Sequence, residues 1–310
     1  MKTNISLILI LCLLLGACKN GNASSQSKSE TPQDTIKAIK MPAIPQMMTA
    51  PEQRADFLAK HYWDNVNFAD TNYIHHPEVT EQAWADYCDL LNHVPLETAQ
   101  QAMRNVIDRT NVDKKVFTYI TDLADKYLYD PNSPMRNEEF YIPVLEAMIA
   151  SPVLNETEKI RPQARLKLAQ KNRIGTKALN FTYTLASGAQ GSLYQLKAEY
   201  LLLFINNPGC QACTETIEGL KNAPIINQLL QEKKLVLLSI YPDEELDEWK
   251  KHLSEFPNEW INGYDKKFTI KEEQVYDLKA IPTLYLLDKD KTVLLKDATA
   301  PAIEAYLMHQ

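Results

Sequence analysis

Apolar positions along the chain change their period once, near residue 174, and that change divides the sequence. From residue 51 to about 173 they recur at helical spacing, with almost no glycine. Trp84, Tyr87, Cys88 and Leu91 mark one stripe at i, i+3, i+4 and i+7, with Thr80 as its expected N-cap. Pro95 suits a first helical position and is followed by Ala99, Met103, Val106 and Ile107 on one face. Asp113 is expected to cap a helix carrying Val116, Phe117, Ile120, Leu123 and Tyr127. Two further helices are predicted over 138–149 and 156–171. Residues 51–173 therefore read as an all-α helical domain.

After residue 174 the period shortens. "FTYTL" (181–185) alternates, "ASGAQG" supplies turn residues and "SLYQL" alternates again, which predicts a hairpin. The runs "YLLLFI" (200–205), "LVLLSI" (235–240), "TLYLL" (283–287) and "TVLL" (292–295) are continuously apolar, as strands covered on both faces are. Helical segments follow the first two runs. That order predicts an α/β domain over 174–310, with a parallel core and antiparallel strands added at the end.

The N-terminus bears on location. "MKTNISLILILCLLLGAC" has one early cation, Lys2, then an apolar run from Ile5 to Leu15, then small residues. This is the layout of a secretory signal, here 1–17, and the run is too short to span a bilayer. Cys12 would leave with it. Residues 18–50 are polar and read as a flexible tether. The net charge of −7, with no Lys/Arg cluster, removes nucleic acid from the expected partners. "LGAC" resembles the bacterial lipobox, which implies that Cys18 is acylated and holds the chain to a lipid bilayer. Each buried methylene contributes about 0.8 kcal/mol, so several acyl chains anchor stably. Lys19, where Asp would signal inner-membrane retention, implies an outer-membrane anchor facing the periplasm.

The candidate chemistry lies in "NNPGCQACTETIEGL", residues 206–220. Spacing alone admits a redox pair, half of a four-ligand metal site, or a short staple. The chain has no second CxxC and no HxxxH to complete a metal site, and so small a ring restricts the unfolded chain little. Cys210 follows a buried strand and a Pro-Gly turn and opens a helix, where unpaired N–H groups and the helix dipole favour a thiolate. Cys213, one turn further in, is expected to point inward with Ile217 and Leu220. Cys88 lies on an apolar stripe and reads as a buried small hydrophobe. His75 and His76 read as loop residues without further ligands. Downstream, Pro282 precedes a buried run where a trans proline would remove a ladder donor, so a cis Ile281–Pro282 bond is expected.

Strand–PGCQAC–helix followed by Ala-Ile-Pro-Thr (280–283) resembles the thioredoxin superfamily. It is more closely similar to its TlpA/ResA-like periplasmic thiol-disulfide oxidoreductases. The preceding hairpin and the long gap between Cys213 and Pro282 fit that group. The helical half resembles the uncharacterised domain that precedes such modules in Bacteroidales-type lipoproteins, and no activity comes with that likeness. The resemblance implies that Cys210 attacks and Cys213 resolves, while Ile281, Pro282 and Thr283 face the pair and receive an extended substrate segment. It implies protein thiols and disulfides as partners, an upstream membrane electron donor, a reducing role, no cofactor and no metal. The other readings are a partner-binding or redox-sensing module without turnover, and an isomerase.

Several positions depart from the family pattern. Gly209 stands where many relatives have Trp, Phe204 where thioredoxins keep a buried Asp, and Thr216 where ResA-like reductases carry Glu. Glu215, Glu218 or water would then accept the proton of Cys213. Gln211 and Ala212 fix neither a reducing nor an oxidising direction.

Overall fold

The computed structural model describes residues 38–310. The signal segment, Cys18 and the first part of the expected tether lie outside the described residues.

The helical region comprises α1 (Pro51–His61), α2 (Pro77–Leu91), α3 (Leu96–Arg109), α4 (Lys114–Ala124), α5 (Glu138–Ala150) and α6 (Glu156–Ala169). Local sequence explains most of its starts. The Asp113 carboxylate accepts from the N–H groups of Lys115 and Val116, Asn137 accepts from Phe140, and Asn155 and Glu158 form a reciprocal capping box. α2 begins at Pro77, one turn before the position expected from Thr80. Proline at a first helical position outweighs the hydroxyl, and Thr80 instead donates to the carbonyl of His76 from inside the helix. Pro95 is the N-cap of α3 and not its first residue. α4 runs on into a single π turn, Asp125–Tyr129. The core is built on Trp84, Tyr87, Met103, Ile107, Phe117 and Leu145. Cys88 lies within it, and burial pushes its thiol up to about 12.

The second region is a seven-stranded sheet in the order β2-β1-β5-β4-β3-β6-β7. The strands are β1 (Thr182–Leu185), β2 (Gln190–Ser192), β3 (Tyr200–Ile205), β4 (Leu235–Tyr241), β5 (Ile261–Tyr264), β6 (Thr283–Asp288) and β7 (Val293–Lys296). β3, β4 and β5 are parallel; β6 and β7 add antiparallel on one side, and the β1–β2 hairpin on the other. The second half of the expected hairpin is shorter than its alternation suggested. After Ser192 the chain tightens into a 3-10 turn over Leu193–Gln195.

Alternate residues of β3 point to opposite faces. Leu202 and Phe204 pack against α7 (Gln211–Lys221), α8 (Pro224–Gln231) and α10 (Ala300–Met308), while Leu201, Leu203 and Ile205 join Phe181, Tyr276 and Tyr285. This two-sided burial is why the run lacks alternation. α9 (Leu246–His252) follows β4.

The two regions are joined by polar contacts across their boundary. The Asn172 side chain donates to the carbonyl of Val275 at 2.7 Å, and Lys171 Nζ donates to that of Gln274 at 2.6 Å. Lys296 on β7 donates back to the carbonyl of Lys171 at 2.7 Å.

Candidate functional site

β3 and β6 pair so that Ile205 stands opposite Thr283. The residues following β3 and those preceding β6 therefore meet at one end of the sheet. After β3, Asn206 is buried, and its side chain donates to Ser239 Oγ at 2.8 Å. The turn then passes through Gly209 at φ +71°, the left-handed region where a side chain is strained. The glycine suits that backbone.

Cys210 is the N-cap of α7, with its Sγ accepting the N–H of Cys213 at 3.3 Å. A sulfur takes the place that Ser or Asp usually fills at a helix start. The same thiol donates toward the carbonyl oxygen of Ile281, 3.8 Å away, across a cis Ile281–Pro282 bond. Thr283 is buried and donates to the carbonyl of Ala280 at 2.7 Å. The structure thus brings together Cys210, Cys213, Ile281, Pro282 and Thr283. Both cysteines of the pair are free thiols, with Cys210 half-buried. Cys213 is only 2% exposed beside Ile217 and Leu220. Burial first, and then the neighbouring Cys210, push its thiol up to about 12.

Two features escaped the sequence. The first is a buried ionic cluster under the Ile281–Pro282 loop. Lys279 Nζ lies 3.0 Å from Glu138 of the helical region, 3.2 Å from Asp277 and 3.6 Å from Asp297. Lys296 pairs with the other oxygen of Glu138. The Lys279 side chain is 8% exposed. Burial opposes its charge, yet Asp297, Glu138 and Asp277 together hold its pKa above the usual lysine value. Its ammonium also sits 4.9 Å from the centre of the Tyr129 ring, whose environment includes the Arg165 guanidinium at 4.1 Å.

The second feature is a groove of about 470 Å³ running from the Ile281–Pro282 loop along α7. Ala212 and Thr216 form part of one wall, and Pro131, Asn132 and Arg136 of the helical region contribute another. No local motif signals either feature. Lys279 meets Glu138 across 141 residues of chain, and Pro131 reads simply as loop.

The comparisons agree with this architecture. Residues 17–172 match a domain of unknown function, DUF5106, and residues 198–293 match a thioredoxin-like family. The crystal structure of a thioredoxin-like protein from Bacteroides caccae ATCC 43185 is 84% identical, covering 89% of this chain and 100% of that one, with a TM-score of 0.87. This chain belongs to the thioredoxin-like family that carries an N-terminal DUF5106 domain. The C-terminal domain of an uncharacterised Bacteroides fragilis NCTC 9343 protein is 69% identical over 44% of this chain and 98% of its own, with a TM-score of 0.44. The thioredoxin domain of a thiol-disulfide oxidoreductase from Bacteroides vulgatus is 20% identical over 44% of this chain and 98% of its own, at TM-score 0.39. No curated protein matches the chain.

Within this thioredoxin-like domain the departures take physical form. Phe204 is fully buried and packs edge-on to Trp260 at 6.3 Å, so an aromatic pair fills the position of the family's buried carboxylate. Thr216 donates to the carbonyl of Ala212 at 2.8 Å. Glu215 and Glu218 lie on the outer face of α7, bonded to Gln211 at 2.9 Å and Lys221 at 2.8 Å. Neither carboxylate reaches the buried Cys213, so the expectation that one of them substitutes for the missing acid is not met. His75 ends a short 3-10 turn, and His76 precedes α2 with its Nδ1 3.0 Å from Glu78.

Proposed function

We propose that this protein is a thiol-disulfide oxidoreductase acting through Cys210 and Cys213. The observation that carries the reading is the position of Cys210 Sγ. It caps α7 on the N–H of Cys213 and stands 3.8 Å from the carbonyl of Ile281. A helix N-terminus offers partial positive charge to a developing thiolate. The backbone of Ile281 beside it offers a hydrogen-bonding edge for an extended partner segment.

In the reducing direction, the Cys210 thiolate attacks one sulfur of a partner disulfide. A mixed disulfide forms, and the partner's other sulfur leaves as a thiolate that takes up a proton. Cys213 then gives its proton to water and attacks Cys210 Sγ. The mixed bond breaks, the second partner thiol is released and a Cys210–Cys213 disulfide forms. Two electrons have passed to the partner, and an upstream dithiol returns them by the reverse exchange. In this reading Cys18 is acylated and holds the protein at the outer membrane, facing the periplasm.

A Cys213→Ala variant tests the exchange. Attack by Cys210 would then stall, and dithiothreitol-sensitive adducts to partner proteins would accumulate, resolved by mass spectrometry to Cys210. Equal adduct yield from a Cys210→Ala/Cys213→Ala protein would refute the role.

A further inference from the structure

The groove beside Cys210 has walls from both regions. Among its lining residues, Ile281 carries the carbonyl that stands 3.8 Å from Cys210 Sγ, so the groove and the thiol share that one residue. The opposite wall is built by the segment between the π turn and α5, and that segment is held firmly by its own bonds. Ser133 Oγ donates to the carbonyl of Tyr127 at 2.6 Å, the N–H of Asn132 is taken by the Asp130 carboxylate at 2.8 Å, and the N–H of Asn137 returns to the carbonyl of Leu128 at 3.0 Å. Arg136 ends this wall. One of its nitrogens donates to the backbone carbonyl of Asp297 at 2.6 Å, fixing the side chain across the boundary.

Among the described residues, no carboxylate forms an ion pair with Arg136. Each neighbouring acid has a lysine or arginine partner: Glu138 with Lys279 and Lys296, Glu139 with Arg173, and Asp297 with Lys279 through Oδ2, although the buried Oδ1 of Asp297, which lines the same groove, has no hydrogen-bond partner. Across the groove Glu215 is held by Gln211 on α7. A half-buried guanidinium with spare donors, lining the same groove as the Ile281 that contacts Cys210, offers a fork for a carboxylate.

We infer that the helical domain is a specificity element whose Arg136 selects partner segments bearing an acidic residue close to the reacting cysteine. The occupant is an extended, cysteine-containing stretch of a partner protein, with its backbone along Ile281 and its acidic side chain on Arg136. Glu215 disfavours a second acid at the α7 end, which gives the groove a direction. This inference rests on the exchange chemistry proposed above and names the substrate class of the same site.

The test uses the mature full-length chain with Cys213→Ala. It is reacted with peptides whose single cysteine is activated as a mixed disulfide with thionitrobenzoate. Each peptide carries Asp at one of the positions flanking the cysteine, and a matched peptide carries Lys there. Rates are normalised to that of each variant with neutral hydroxyethyl disulfide. At one placement Asp should exceed Lys by about two- to fivefold, the range that a partly exposed ion pair supports. Arg136→Ala should erase that ratio, Arg136→Glu should invert it and Arg136→Lys should keep part of it. A ratio of one at every placement overturns the inference, as does an Asp preference that survives Arg136→Ala. Failure of the parent to react even with hydroxyethyl disulfide refutes the exchange reading itself, and the inference falls with it.

Discussion

Replacing Lys279 with methionine tests whether the helical domain holds the Ile281–Pro282 loop in place. Methionine keeps much of the aliphatic volume and removes the ammonium from between Glu138, Asp277 and Asp297, which lie 3.0, 3.2 and 3.6 Å from it. Lys296 remains for Glu138, leaving three carboxylates around one cation. Breaking a buried pair from one side costs about 3–5 kcal/mol, because the surviving charges lose their compensation without regaining water. Urea denaturation of the reduced protein should therefore show a midpoint lowered by that amount divided by the m-value. Glu138→Gln combined with Lys279→Met should cost less than the sum of the two single changes, by about 0.5–3 kcal/mol, since the residues share one network. The loop lies two residues beyond Lys279, so iodoacetamide should label Cys210 at a changed rate in the single variant. A stability loss below about 1 kcal/mol, the value of a solvated surface pair, together with additive single effects, would refute the assignment.

Three further outcomes follow from the site. Native alkylation at pH 8 should label Cys210 alone among the described cysteines, with Cys88 and Cys213 reacting only after unfolding, because burial pushes both of those thiols up to about 12. A thiol raised above its unfolded pKa of about 8.5 contributes stability fully below that pH and loses it as pH climbs toward the folded value. The reduced protein should accordingly weaken between about pH 9 and 12, and Cys213→Ala should flatten part of that slope in pH-dependent urea melts. Gly209→Ala places a side chain at φ +71° and should cost about 1–2 kcal/mol; an unchanged urea midpoint would contradict the strain argument.

What the sequence disclosed and what it hid divide along physical lines. The runs that became β3, β4 and β6 announced themselves because both faces are buried, and the Cys210–Cys213 spacing is a local property of one helix turn. β5 did not stand out. Its four residues include Gly263, which reads as a turn residue. In the fold, however, an added Cβ at Gly263 would stand 2.9 Å from the Tyr183 ring, so the glycine is demanded by packing across strands. The stripe from Trp84 pointed to Thr80 as the start of α2, whereas Pro77 supplies the first helical residue. Arg136, Glu138 and Lys279 looked like ordinary solvated charges. Their roles depend on chain segments more than a hundred residues apart, which periodicity does not sense.

The shared ion cluster has a bearing on how such a chain can be divided. Severing it near residue 174 would strip Glu138 from Lys279 and Lys296 and would expose to water a lysine that stands two residues before the proline loop. The fragment that kept both cysteines would carry a differently charged approach to its Ile281–Pro282 loop, and so would be a different reagent from the parent.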